Sequence, residues 1–130
     1  AFLAMAGDHI TIAEGALFMS HNARAGRPGG SGEAKDFRQM ADTLDIVNDT
    51  IRDTYTARTG IDGAKIRKWM DAETWFSGKE ALANGFVDAI SENHVQVAAR
   101  TDTVPWFTNA PKELRPNRAR VIELRERLRA

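Results

Sequence analysis

One histidine in this chain stands where a proton could be moved for a purpose. His21 closes the apolar run Ala16-Leu17-Phe18-Met19-Ser20 and is followed by Asn22 and a glycine-rich stretch. Such strand-to-loop edges are where α/β proteins set reacting groups. An imidazole exchanges protons near neutrality, which suits a general base. A base of this kind activates a serine hydroxyl when a carboxylate orients it. Two carboxylates offer themselves, Glu73 and its rival Asp71, in a stretch with Trp69, Trp75 and Phe76 that would draw one of them partly out of water. The plainer alternatives are a histidine that packs at a strand end and a carboxylate that ends a helix.

Nothing present completes the set. Cysteine is absent, so a thiol nucleophile, thiolate metal sites and disulfides are excluded. Ser20 adjoins His21, but neighbouring strand residues point to opposite faces. Ser31 lies among glycines with no pair of oxyanion donors in prospect, Ser77 reads as a helix cap, and Ser91 reads as a strand end. His9, His21 and His94 form no i,i+3 or i,i+4 pair and no HExxH pattern, so no metal is expected. The stretch Ala25-Gly26-Arg27-Pro28-Gly29-Gly30-Ser31-Gly32 has neither GxGxxG nor Walker spacing. It reads as a loop, and no cofactor is expected.

Several elements must position these groups. Residues 1–6 read as a tightly packed small-residue helix closed by Gly7-Asp8. No capping residue precedes Ala1, so its start is expected to lie before this sequence. A short strand is expected over His9–Ile12, and a strand buried on both faces over Ala16–His21. One long helix is expected from Glu33 to Arg58, with Phe37, Met40, Leu44, Val47 and Ile51 alternating steps of three and four. Thr59-Gly60 stops it, and Asp62 can cap a second helix through Ile66 and Trp69. Ser77 and Glu80 form a capping box, Asn84-Gly85 ends that helix, and Phe86–Ile90 reads as a returning strand. Val95 to Ala99 reads as a short strand, the prolines at 105, 111 and 116 mark a linker, and Arg118 to Arg129 reads as a helix. The apolar stripe of the long helix needs a partner, either a layer of its own subunit or a copy of itself.

The 130 residues, 42% apolar and 28% charged, suit one soluble domain or a large part of one. Apolar runs are far too short to span a bilayer, and Ala1–Gly7 lacks the basic start of a signal peptide, so no membrane partner is expected. The absence of cysteine is compatible with the cytoplasm. From Lys112 onward seven Lys/Arg face three Glu; the net charge is zero, so the first 111 residues carry −4. That tail could meet nucleic acid or an acidic surface, but a solvated amphipathic helix explains it, so nucleic acid is not an expected partner.

Four segments in order resemble the Clp-type (ClpP-like) serine peptidase family, especially its phage- and prophage-encoded prohead-protease-like branch. Ala1-Phe2-Leu3-Ala4-Met5-Ala6-Gly7-Asp8 is similar to the tail of the family's nucleophile helix, and Leu17-Phe18-Met19-Ser20-His21-Asn22 to its Met-x-His strand end. The Glu33–Arg58 helix with Thr59-Gly60 resembles the handle helix and its terminator. Ala72-Glu73-Thr74-Trp75-Phe76-Ser77, with Glu80-Ala81 and Gly85-Phe86-Val87-Asp88, resembles the segment of the triad acid. The match covers residues 1 to about 92, leaving 93–130 as linker and basic C-terminal helix. The resemblance implies an α/β, ClpP/crotonase-like spiral fold with a long handle helix, of which this is the C-terminal portion. It implies His21 as base and Glu73 as acid, where the family usually has Asp. The nucleophilic serine would fall three positions before Ala1, with the oxyanion glycines also outside the sequence. It further implies homo-oligomeric stacked rings, a peptidase core that itself needs no ATP, and unfolded or short polypeptide substrates. An AAA+ unfoldase, or phage capsid and scaffold proteins, would be partners in a bacterial or phage-infected cell. The competing classes are a non-catalytic ring or scaffold subunit, and a crotonase-type acyl-CoA enzyme, which would leave His21 and Glu73 without a purpose.

Overall fold

The ends of the helices follow from local chemistry. The computed structural model describes residues 1–26, 30–92, 109 and 111, and the chain divides into units Ala1–Asn93 and His94–Ala130. Helix α1 spans Ala34–Thr59. The backbone N–H of Glu33, its N-cap, donates to Asp36 Oδ2 at 3.0 Å, and it ends at Gly60 with φ 71°, a left-handed conformation that glycine adopts without strain. Helix α2 spans Gly63–Asp71, and Asp62 Oδ1 accepts from the N–H groups of Ala64 and Lys65. Helix α3, Gly78–Ala83, carries the expected box: Ser77 N–H donates to Glu80 Oε2 at 2.8 Å and Glu80 N–H to Ser77 Oγ at 3.3 Å.

The strands depart from expectation in four places, the first being that the strand expected over His9–Ile12 runs from Thr11 to Ala13. Strands β1 (Thr11–Ala13) and β4 (Ala89–Ser91) pair in parallel, Thr11 opposite Ala89. The returning strand thus begins three residues later than Phe86, because Phe86 and Val87 turn into the core instead. Asp88 makes the transition: its N–H donates to the Ile10 carbonyl at 2.7 Å while its carboxylate accepts from the Ile10 N–H at 2.7 Å. Strand β2 is Leu17–Ser20, and a strand not anticipated, β3 (Thr74–Ser77), pairs with it antiparallel. One face of β2 is open: Phe18 and Ser20 are buried while Leu17 is 41% exposed. Alternation, not burial on both faces, is what a one-sided antiparallel pair requires. Residues 2–6 form one 3₁₀ turn with no buried residue, not a packed α-helix. Five residues closed by Gly7 supply i→i+3 bonds, Ala4 N–H to Ala1 O and Gly7 N–H to Ala4 O, and too few i→i+4 bonds to offset helix nucleation.

The result is an α/β arrangement around an aromatic core. Phe86 has no exposed surface. Its ring stacks on Phe18 at 4.7 Å and meets Tyr55 and Phe76 at 5.3 Å. Burial pushes the Tyr55 phenol up to about 12. Only the C-terminal half of α1 joins this core, through Ile51 and Tyr55. In its N-terminal half Phe37 is 48% and Ile46 68% exposed, and Val47 just past the midpoint is 39% exposed. The strand expected over Val95 to Ala99 and the helix over Arg118 to Arg129 lie outside the described residues.

Candidate active site

Strand pairing brings the predicted base and acid to one end of a sheet. The last ladder pair of β2 and β3 is Ser20 opposite Thr74. His21 and Glu73 are the next residues of the two chains, one step beyond this last pair. The His21 ring is half-buried, and its Nδ1 lies 2.7 Å from the Asn22 carbonyl oxygen. A carbonyl can only accept, so Nδ1 carries the hydrogen in this contact. In the neutral ring Nε2 then holds the lone pair, the arrangement a general base needs.

The three residues after His21 are each tied to a different anchor. Asn22 Nδ2 donates to Asp71 Oδ1 at 2.8 Å. Ala23 N–H donates to Oδ1 of Asn48 at 2.7 Å, and Asn48 is buried on α1. The Arg24 guanidinium donates to Glu73 Oε1. Thus each candidate acid is engaged by a side chain of this short strap. Their surroundings differ: Asp71 is exposed, whereas Glu73 is only 7% exposed. A buried carboxylate needs a countercharge, and Arg24 provides it.

Glu73 also carries a backbone peculiarity. Its φ is 49°, and it is the one non-glycine residue with positive φ among those described. It follows Ala72, the C-cap of α2, where a left-handed residue closes the helix and glycine is the usual occupant. A side chain with a Cβ there costs about 1–2 kcal/mol, so holding a carboxylate at this point opposes stability.

The only sequence signal for Asn48 is an amide set between Leu44 and Ile51 on the apolar stripe. Arg24 offered no local signal, since its partner is 49 residues away. The serines stand apart from these groups in role. Ser20 is fully buried, and its Oγ has no hydrogen-bond partner among the described residues. Ser77 caps α3, Ser91 ends β4, and Ser31 is exposed outside any element. A cavity of about 400 Å³ opens along the N-terminal half of α1, past Asp36, Met40 and Leu44. Another, of about 240 Å³, has Ala1, Phe2 and Leu3 on one wall and Met19, His21, Ile51 and Tyr55 on the other. The first residues of the sequence therefore line the same space as the candidate base.

Residues 1–94, which include the sheet end, the strap and α1 to α3, match the Clp protease family. The chain belongs to the Clp protease family. It is similar as well to the ATP-dependent Clp protease proteolytic subunit 2 of Thermobifida fusca (strain YX), with 36% identity over 62 residues. That similarity covers 48% of this chain and 30% of the relative, so the chain spans under a third of that curated relative's length where the two match. The α/β arrangement of helices and short strands fits this family. Among the described residues no helix is long and apolar enough to cross a membrane.

Proposed function

We propose that this chain is part of an oligomeric serine endopeptidase subunit of the Clp type, with His21 as general base and Glu73 as the acid that orients it. The nucleophile is a serine three positions before Ala1, outside these 130 residues. The observation that supports this is the β2–β3 register, whose last pair, Ser20 and Thr74, leaves His21 and Glu73 as the next residue of each chain at one sheet end. The cavity shared by Ala1–Leu3 and His21 supports it, because a segment leading into Ala1 would arrive beside the base.

In this mechanism His21 Nε2 takes the serine proton as Oγ attacks the scissile carbonyl. The imidazolium then gives that proton to the leaving amine, and water resolves the acyl-enzyme by the same route. Buried Glu73 stabilises the imidazolium more strongly than exposed Asp71 could, since water screens the latter. Residues 1–92 form the peptidase domain, and the linker and basic helix expected over 93–130 lie outside the described residues apart from 109 and 111. The open apolar face of α1, with Phe37 and Val47 exposed beside Met40 and Leu44, is the handle on which a second copy docks in a stacked ring. Substrates are unfolded or short polypeptides, delivered in the cytoplasm by an AAA+ unfoldase or drawn from phage head proteins of the prohead-protease-like branch.

Two contacts favour a non-catalytic ring or scaffold subunit instead: Glu73 is bound by Arg24, and His21 Nδ1 by a backbone carbonyl. A fluorophosphonate probe on the complete subunit separates the two. Labelling of a serine three positions before Ala1, suppressed in His21→Ala, is the expected result. An unlabelled subunit, or labelling at Ser20, Ser31, Ser77 or Ser91, refutes the catalytic assignment.

A further inference from the structure

We infer that Arg24 is a positioning residue for the acid of this site: its guanidinium fixes Glu73 so that the carboxylate can serve His21. The inference rests on the assignment of Glu73 as that acid. Glu73 occupies a position where the Clp-type resemblance leads one to expect Asp. A glutamate has one more methylene and one more torsion to immobilise, and an unfixed torsion lets the carboxylate miss the imidazole. The guanidinium of Arg24 binds Oε1.

The backbone around Arg24 suits the task. His21 and Arg24 sit at the two ends of a four-residue strap, and between them the Ala23 N–H is held by buried Asn48 at 2.7 Å. Asn22 ties the same strap to Asp71 at 2.8 Å. Base and anchor therefore share one pinned segment. The Arg24 side chain is 48% exposed and that of Glu73 9%. Arginine thus reaches in from the solvent edge, and its removal opens little of the core. A planar fork directs a carboxylate in a way that a lysine ammonium, a point charge, only approximates.

Turnover of a fluorogenic peptide by the complete subunit tests this with Arg24→Ala, Arg24→Lys, Glu73→Gln and the Arg24→Ala/Glu73→Gln pair. Arg24→Ala is expected to lower kcat by about 10–100-fold, the scale of a misplaced catalytic group, with KM nearly unchanged. Arg24→Lys should recover a large part of that loss. In the Glu73→Gln background Arg24→Ala should cost nothing further, because the carboxylate it positions is gone. Parental kcat in Arg24→Ala, or an equal loss in both backgrounds, overturns the inference. Glu73→Gln with parental turnover overturns the acid assignment itself, which is a separate failure. Urea unfolding of the complete subunit adds a readout independent of activity: the two substitutions should couple, and strict additivity would refute the pairing.

Discussion

Replacing Glu73 by glycine should leave the fold intact, or firmer, while disabling the site. The parent holds a Cβ at φ 49°, which costs about 1–2 kcal/mol that glycine does not incur. Against this, glycine gives the unfolded chain more freedom, worth about 0.4–1 kcal/mol. The lost ion pair to half-exposed Arg24 contributes about 1 kcal/mol at most, and the burial of the carboxylate, itself unfavourable, disappears with it. These terms nearly cancel for Glu73→Gly. Glu73→Ala loses the same ion pair and keeps the strain. The informative quantity is therefore the difference between the two variants, about 1 kcal/mol in favour of glycine, or about 4–8 °C in Tm for a domain of this size. Urea and thermal unfolding of the 130-residue chain, followed by circular dichroism, read it directly. In the complete subunit both variants should lose roughly 10³–10⁴ in kcat, the scale of removing a triad acid's charge. An alanine variant as stable as the glycine variant would refute the strain at Glu73, and with it the view that stability is given up there to hold a carboxylate.

Asp88 should set part of the acid limb of stability. The Ile10 N–H first, and then Arg58 and His9, hold its carboxyl below the ordinary 3.8. A depressed folded value means that the stabilisation is complete above the unfolded value and is lost as pH falls through the folded one. Asp88→Asn should flatten the fall in urea midpoint below about pH 4, and an unchanged slope would show that other carboxylates govern it. Leu44→Glu would set a charge into the proposed contact on α1 at a cost on the order of several kcal/mol. Sedimentation of the complete subunit should then shift from a large ring to small species, and an unchanged mass would mean that the stripe packs elsewhere.

What could be read from the sequence was what short-range chemistry decides. Asp62, Ser77 with Glu80, Gly60 and Gly85 mark helix ends within four residues of the groups they satisfy, so the three helices were legible to within a residue or two. His21 and Glu73 could be singled out by type and by the motifs around them. Tertiary structure alone decided the rest. Strand β3 exists because β2 lies beside it, and Thr-Trp-Phe-Ser has no period that distinguishes a strand from the start of a capped helix. The displacement of β4 follows from Phe86 finding Phe18, Tyr55 and Phe76, contacts that span up to 68 residues. The left-handed Glu73 and its bond to Arg24 have no local signature. Backbone strain at a non-glycine residue is tolerated only when a surrounding structure over-determines it, and here that structure is assembled from a strand, two helices and a strap far apart in the chain.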